Sequence, residues 1–188
     1  TYSIAVSGNE VKVEADYRWW DTRVWYRGAW VGEAEWEDLL IAGYDAVNGV
    51  ETVDLGGESY SGYTLMVELE EGASAVSIAN GSLEFDYIDM FAGDVNIGQN
   101  TTVQVAEMYG EGLKLGISGD KTTVTVSDYM QMGTVALDYA RLTVADAEIG
   151  AITGTTGSLE ITGDAQVTVD SDVTLSSLVN GGSLDMAG

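Results

Sequence analysis

The residues best suited to chemistry crowd into one stretch, "YRWWDTRVWYRGAWVGEAEW", Tyr17 to Trp36. It holds all five tryptophans of the chain and three of its seven basic residues. Indole rings offer broad apolar faces, and guanidinium groups offer a rigid fork of donors that fits carboxylates and stacks on rings. Three uses fit Trp19, Trp20, Trp25, Trp30, Arg18, Arg23 and Arg27. The rings seal the end of a core, they form a platform for glycans, or they anchor a subunit contact, for which Trp and Arg are common anchors. On a strand the adjacent Trp19 and Trp20 point to opposite faces, so both cannot be core.

Acidic residues are the second chemical resource. Thirty-one acids against seven bases give a net charge of −24, and the bases thin out along the chain: residues 1–60 carry four, residues 61–188 three. Phosphate contacts need clustered Lys and Arg, so nucleic acid is excluded as a partner. Such a surface calls for screening by salt, cations or a basic partner, which suits an extracellular or cell-surface setting. Asp170 and Asp172, in "DSD", are the metal candidates, since aspartates two apart on a strand share a face and could share a calcium ion. Asp86 and Asp89 in "DYID" are a second candidate pair for looser calcium binding. No EF-hand loop or "GGxGxD" array occurs, and calcium is the one cofactor the composition suggests.

The absences narrow the function further. With no His and no Cys, Ser-His-Asp and Cys-His mechanisms, disulfides and ordinary zinc sites are excluded within this chain. Asp120, Asp128 and Asp138 follow no grouping that resembles a paired-carboxylate active site, and the composition points to a protein that is not an enzyme. No run reaches the roughly 18 apolar residues of a membrane span.

The elements that position these residues are written in an imperfect repeat. Segments opening on glycine read "GDVNI" from Gly93, "GLKLGI" from Gly112, "GTVAL" from Gly133, "GSLEI" from Gly157 and "GSLDM" from Gly182, with "GSLEF" at Gly81 as an earlier member. A second set, "TTVQV", "TTVTV", "RLTV" and "QVTV", ends at Val105, Val126, Val144 and Val169. Alternation turns Val95 and Ile97, Val103 and Val105, and Val124 and Val126 to one side, which a single coil cannot bury. Stacked coils bury it together, so the fold class is an all-β parallel β-solenoid of about eight coils, roughly 40 Å long at one strand spacing per coil. An antiparallel β-sandwich is the alternative. The outward Thr123 and Thr125 suggest a threonine ladder, but Gln104 and Arg141 interrupt it at equivalent places.

The run "GSLEITGDAQVTVDSDVTLSSLVNGGSLDMAG" resembles the β-helical passenger segments of large bacterial surface proteins, the AIDA-type autotransporter adhesins among them. The resemblance spans about residues 81–188 and lies in glycine-led coils, outward Thr and Asp, few Lys and no Cys. It implies a secreted or surface-displayed rod for adhesion or structure and hands over no catalytic residue.

Residues 61–188 are thus read as solenoid coils and residues 1–60 as an atypical N-terminal cap. Within the cap, Tyr2, Ile4 and Val6, a turn at Gly8-Asn9, and Val11 and Val13 predict a hairpin. "GEAEWEDLLIAG" predicts a short helix with Trp36, Leu39 and Leu40 on one face and Gly43 as its stop. The Tyr2–Val6 segment is also a candidate for lending a strand to a neighbouring copy, which makes self-association the expected partnership. The functional expectation is an extracellular, non-enzymatic structural rod, a subunit of a surface fibre or layer or a segment of an adhesin. The alternative is a carbohydrate-binding module using the Trp/Arg stretch.

Overall fold

Parallel in-register pairing organises the chain. The computed structural model describes residues 2–7, 10–17, 20–26, 30–31, 41–45, 50–69 and 75–186, with side chains detailed for parts of 54–65 and most of 75–186. It is all-β, a solenoid of about six turns. The strands of the turns are β6 (Val50–Asp54), β7 (Ser59–Leu69), β8 (Ala75–Ala79), β9 (Gly81–Ala92), β10 (Asp94–Ile97), β11 (Thr101–Ser118), β12 (Thr123–Asp138), β13 (Arg141–Thr153), β14 (Ser158–Ile161), β15 (Gln166–Val169), β16 (Ser177–Asn180) and β17 (Ser183–Met186). The long strands bend around corners, so that each coil contributes to three faces.

Face I stacks Leu83, Val103, Val124, Leu142, Leu159 and Leu178 in register. Face II stacks Leu65, Ile88, Met108, Met130, Ala147, Val167 and Leu184. Face III stacks Val76, Val95, Leu115, Val135, Ile152 and Val173. Each face carries a second inward column two residues on, such as Ile78, Ile97, Ile117 and Leu137 on face III. Burial alternates along the straight stretches of β11, β12 and β13, and one continuous cluster runs from Leu55 to Val169.

Glycine marks more than one corner, which corrects the repeat register. Gly93, Gly112 and Gly133 lead face III strands, Gly81 and Gly157 lead face I strands, and Gly182 leads β17 on face II. "QVTV" likewise lies on face II, whereas "TTVQV", "TTVTV" and "RLTV" lie on face I. The physical reason is a turn, Thr162–Ala165, inserted between faces I and II of one coil. Leu142 and Ala147 are five residues apart, while the equivalent Leu159 and Val167 are eight apart. Any corner where coils touch backbone to backbone needs a residue without a side chain, so glycine recurs out of phase.

The N-terminal strands explain why about six coils form rather than eight. β1 (Tyr2–Ser7), β2 (Glu10–Tyr17), β3 (Trp20–Tyr26) and β4 (Trp30–Val31) make an antiparallel meander that joins face II through parallel pairing of β1 with β7. The expected hairpin is present, with Ile4 opposite Val13 and Val6 opposite Val11. β1 is hydrogen-bonded on both edges within its own chain, so it has no edge to lend to a neighbour. The expected short helix falls mostly on residues 32–40, outside the described residues. Its end is corrected: Ile41, Ala42 and Gly43 belong to β5 (Ile41–Asp45), paired antiparallel with β6. β6 is paired with β8 on its other edge, so β5 closes the exposed edge of the face III sheet.

Two corners give testable energetics. A Cβ on Gly133 would lie 2.6 Å from the Gly112 carbonyl carbon, a backbone atom that cannot move without parting two coils. A Cβ on the buried Gly110 would instead meet the thioethers of Met132 at 2.8 Å and Met90 at 3.3 Å, flexible ends that can shift. Gly133→Ala should therefore cost about 1–3 kcal/mol in urea unfolding and Gly110→Ala under about 1 kcal/mol. Equal costs would refute the coil-contact account. At the corner into face I, Asn80 (φ 61°), Asn100 (φ 55°) and Tyr139 (φ 54°) are all left-handed, a conformation Asn tolerates and a bulky ring does not. Tyr139 is 64% exposed, so Tyr139→Asn should stabilise the fold by about 0.5–1 kcal/mol in the same assay.

Candidate functional site

The outward side of face II carries the densest grouping of chemically capable side chains among the described residues. Inward Ile88, Met108, Met130 and Ala147 fix the opposite parity outward, and register sets two outward columns. One reads Tyr87, Glu107, Tyr129, Asp146 and the other Asp89, Tyr109, Gln131, Glu148. Tyrosines and acceptor side chains thus alternate as on a checkerboard, with Tyr87, Tyr109 and Tyr129 stepping diagonally over three coils. The Tyr109 and Tyr129 rings are 5.9 Å apart at 48°, a tilted aromatic pair.

Electrostatics bind this patch together. The Tyr109 hydroxyl donates to the Glu107 carboxylate in a short contact. That bond, then burial and the Glu107 charge, push the Tyr109 phenol up to about 12. Tyr129 is pushed up by burial first, then by the charge of Glu148 and a hydrogen bond to it. Burial, with Glu107 second, raises the Asp89 carboxyl. Asp146 accepts the Gln166 backbone N–H at 2.8 Å, tying the patch to the next coil. The Tyr109 and Tyr129 hydroxyls point their protons at carboxylates, so around them the face offers acceptors and rings. Within the coils Lys114 lies on face III, Lys121 at a corner and Arg141 on face I.

The sequence-predicted candidates fall elsewhere. Trp20, Arg23 and Trp25 lie on β3 and Trp30 on β4, in the meander that continues the face II sheet. By register Trp20 is opposite Tyr17, Arg23 opposite Glu14, Trp25 opposite Lys12 and Val31, and Trp30 opposite Tyr26. Arg18, Trp19 and Arg27 lie outside the described residues. Asp170 and Asp172 are not on a strand, which corrects their reading as one strand face. They occupy an exposed turn whose backbone bonds to Ile149 and Ile152 of the coil before, with the Ser171 hydroxyl donating to the Gly150 carbonyl at 2.8 Å. The inserted turn that displaced "QVTV" lies in this coil and shortens its strands. Asp86 and Asp89 are separated too, Asp86 at a corner and Asp89 on face II. Among the described residues no three acidic side chains are grouped to hold a metal ion. No helix there is long and apolar enough to cross a membrane.

Two shallow grooves flank face II. One of about 510 Å³ runs along face III over Ser77, Asn96, Gly116, Ala136 and Thr153, with Lys114 and Asp138 on its rim. Another of about 470 Å³ lies at the corner between faces I and II, bordered by Glu84, Asp86, Gln104 and Ser127. On the rim of the face III groove the Thr156 hydroxyl donates to the Asp138 carboxylate at 2.6 Å.

The tyrosine patch predicts an alkaline signature. The folded-state phenol of Tyr109 titrates above its ordinary value of 10.0, so its contribution to stability is complete below about pH 10 and is lost as pH climbs through about 12. Ultraviolet titration should show late-ionising tyrosines, Tyr129 and, with its phenol at about 12, Tyr109. Glu107→Gln should bring Tyr109 back toward the others, and an unchanged titration would remove Glu107 as its partner.

Compared with known proteins, the chain matches no family model, no curated protein and no solved structure.

Proposed function

We propose that this chain is a non-enzymatic structural rod of the cell exterior, a subunit of a surface fibre or layer or a segment of an adhesin. The observation that supports this reading best is the parallel coil-on-coil ladder over a single apolar interior from Leu55 to Val169. A load along the axis passes through each coil-to-coil interface in turn, where the ladders of the three faces share it, and local opening of one coil exposes its neighbours' columns. Such an architecture suits a spacer that holds a surface away from its anchor. The net charge of −24 keeps rods apart and makes their spacing sensitive to salt and calcium. The likeness to AIDA-type passenger segments supports the same reading through the style of its coils.

Two measurements test it together. Negative-stain electron microscopy of the purified chain, with and without millimolar calcium, should show elongated particles whose solenoid part is about 30 Å long, one strand spacing of ~4.8 Å per coil. Brief protease treatment of intact source cells should release epitopes of residues 81–186. Globular particles, or epitopes released only after lysis, would each defeat the proposal.

A further inference from the structure

The geometry points to face II as a docking site for cationic side chains of a protein partner, with Tyr87, Tyr109 and Tyr129 as the ring platform and Asp89, Glu107 and Glu148 as the charge-bearing acceptors. The assignment goes beyond the rod reading and does not depend on it.

The ring arrangement comes first. A guanidinium or ammonium group over a tyrosine face is attracted by the ring quadrupole, and the attraction grows where water is partly excluded. Tyr109 and Tyr129 are both half-buried, so their rings are held rather than waving in solvent. Their diagonal spacing, 5.9 Å between centroids, leaves each ring beside a carboxylate on its own coil or the next. A cation seated there would meet a ring and an acid at once.

Charge decides the class of ligand. Every formal charge in the two columns from Tyr87 to Glu148 is negative. The coil bases Lys114, Lys121 and Arg141 belong to other faces or corners. Lys12 and Arg23 lie on β2 and β3, separated from β9 by β1 and β7. The phenols of Tyr109 and Tyr129 donate hydrogen bonds to Glu107 and Glu148, so acceptors predominate on the face, beside the Tyr87 hydroxyl and the Gln131 amide. Donor-only groups complement such a surface, and phosphate, sulfate and uronate groups are repelled by it. Burial and, second, the Glu107 charge raise the Asp89 carboxyl, and an incoming cation would relieve the repulsive part. The occupant is an Arg- or Lys-bearing segment lying across the four coils from Asp89 to Glu148, a rise of about 14 Å at the strand spacing.

The test uses the full chain and a blocked hexa-arginine peptide, with binding followed by calorimetry at near-physiological ionic strength. Tyr109→Leu with Tyr129→Leu should weaken binding about tenfold, as expected for two exposed cation–π contacts. Tyr109→Phe with Tyr129→Phe, which keeps the rings, should stay within about twofold. Gln131→Lys places a cation in the middle of the patch without removing a packed ring, and should weaken binding by about tenfold or more. It serves as the second arm if the leucine variant melts early by circular dichroism. Glu84→Gln with Glu160→Gln removes two charges from face I and should change binding less than about twofold. If the face I variant loses as much as the face II variants, the attraction is diffuse and the proposal fails. It also fails if Gln131→Lys binds like the parent, or if an uncharged oligosaccharide displaces the peptide from face II.

Discussion

Everything in this molecule depends on one spacing. Parallel strands hydrogen-bonded in register place each coil one strand separation above the last, about 4.8 Å, and every side chain inherits that spacing from its backbone. A residue on face I is therefore packed mainly against its equivalents above and below, Val103 on Val124 and Val124 on Leu142. The core has no central layer to adjust. A column tolerates a change of size only where the neighbours compensate. Met90 and Met132 do so around Gly110, turning their thioethers into the space its missing side chain leaves. Met is suited to this because its three rotatable bonds fill irregular gaps.

The same spacing is hardest to keep at the corners, where the chain must turn without lifting off the coil below. Backbone touches backbone at Gly133 over Gly112, and left-handed residues recur before face I at Asn80 and Asn100. Hydrogen bonds then tie corner to corner. Asn100 donates to Asn80 at 3.4 Å and Asn80 to Asp54 at 3.2 Å, a short ladder beside the sheets. Just inside that corner the buried Thr101 and Thr122 hydroxyls both donate to the Gly98 carbonyl, at 2.5 Å and 3.3 Å. A polar group in the interior is tolerated because its partner is the turning backbone itself.

This explains which parts were legible in the sequence. Alternation is local, so pairs such as Val103 and Val105 declare a strand and its buried side from five residues. Stacking of coils follows, because those sides need a partner. Corner identity is not local: glycine serves all three corners, so Gly93, Gly157 and Gly182 look alike and stand on different faces. The predicted helix stop at Gly43 failed because pairing across to β6 outweighs a short helical pattern. The face II patch was legible in principle and is easily missed. Tyr87, Tyr109 and Tyr129 stand 22 and 20 residues apart, the length of a coil, whereas the tryptophans draw attention by crowding together in sequence. Aspartates two apart were misleading in the opposite way, since Asp170 and Asp172 share a turn and not a strand.

The spacing also constrains charge, and the constraint shows how so acidic a chain can stack at all. In an in-register ladder, two acids at one register position would hold their carboxylates about a strand spacing apart, and repeated over several coils that repulsion would oppose the ladder. Across the described parallel pairings no acid faces an acid. Glu84 meets Ser61 and Gln104, Glu107 meets Tyr87 and Tyr129, Glu148 meets Gln131 and Thr168, and Asp94 meets Ala75. The acid pair Asp16 and Asp21 occurs in the antiparallel meander, outside the stacked coils. The outward residues are therefore ordered by the same rule as the core, with neutral side chains set between charges. On faces I and III the spacers are mostly Ser, Thr, Gln and Asn, with Ala75, Gly116 and Ala136 among them on face III. On face II they include three tyrosines, which bring ring faces into a field of carboxylates and make that face chemically unlike the other two.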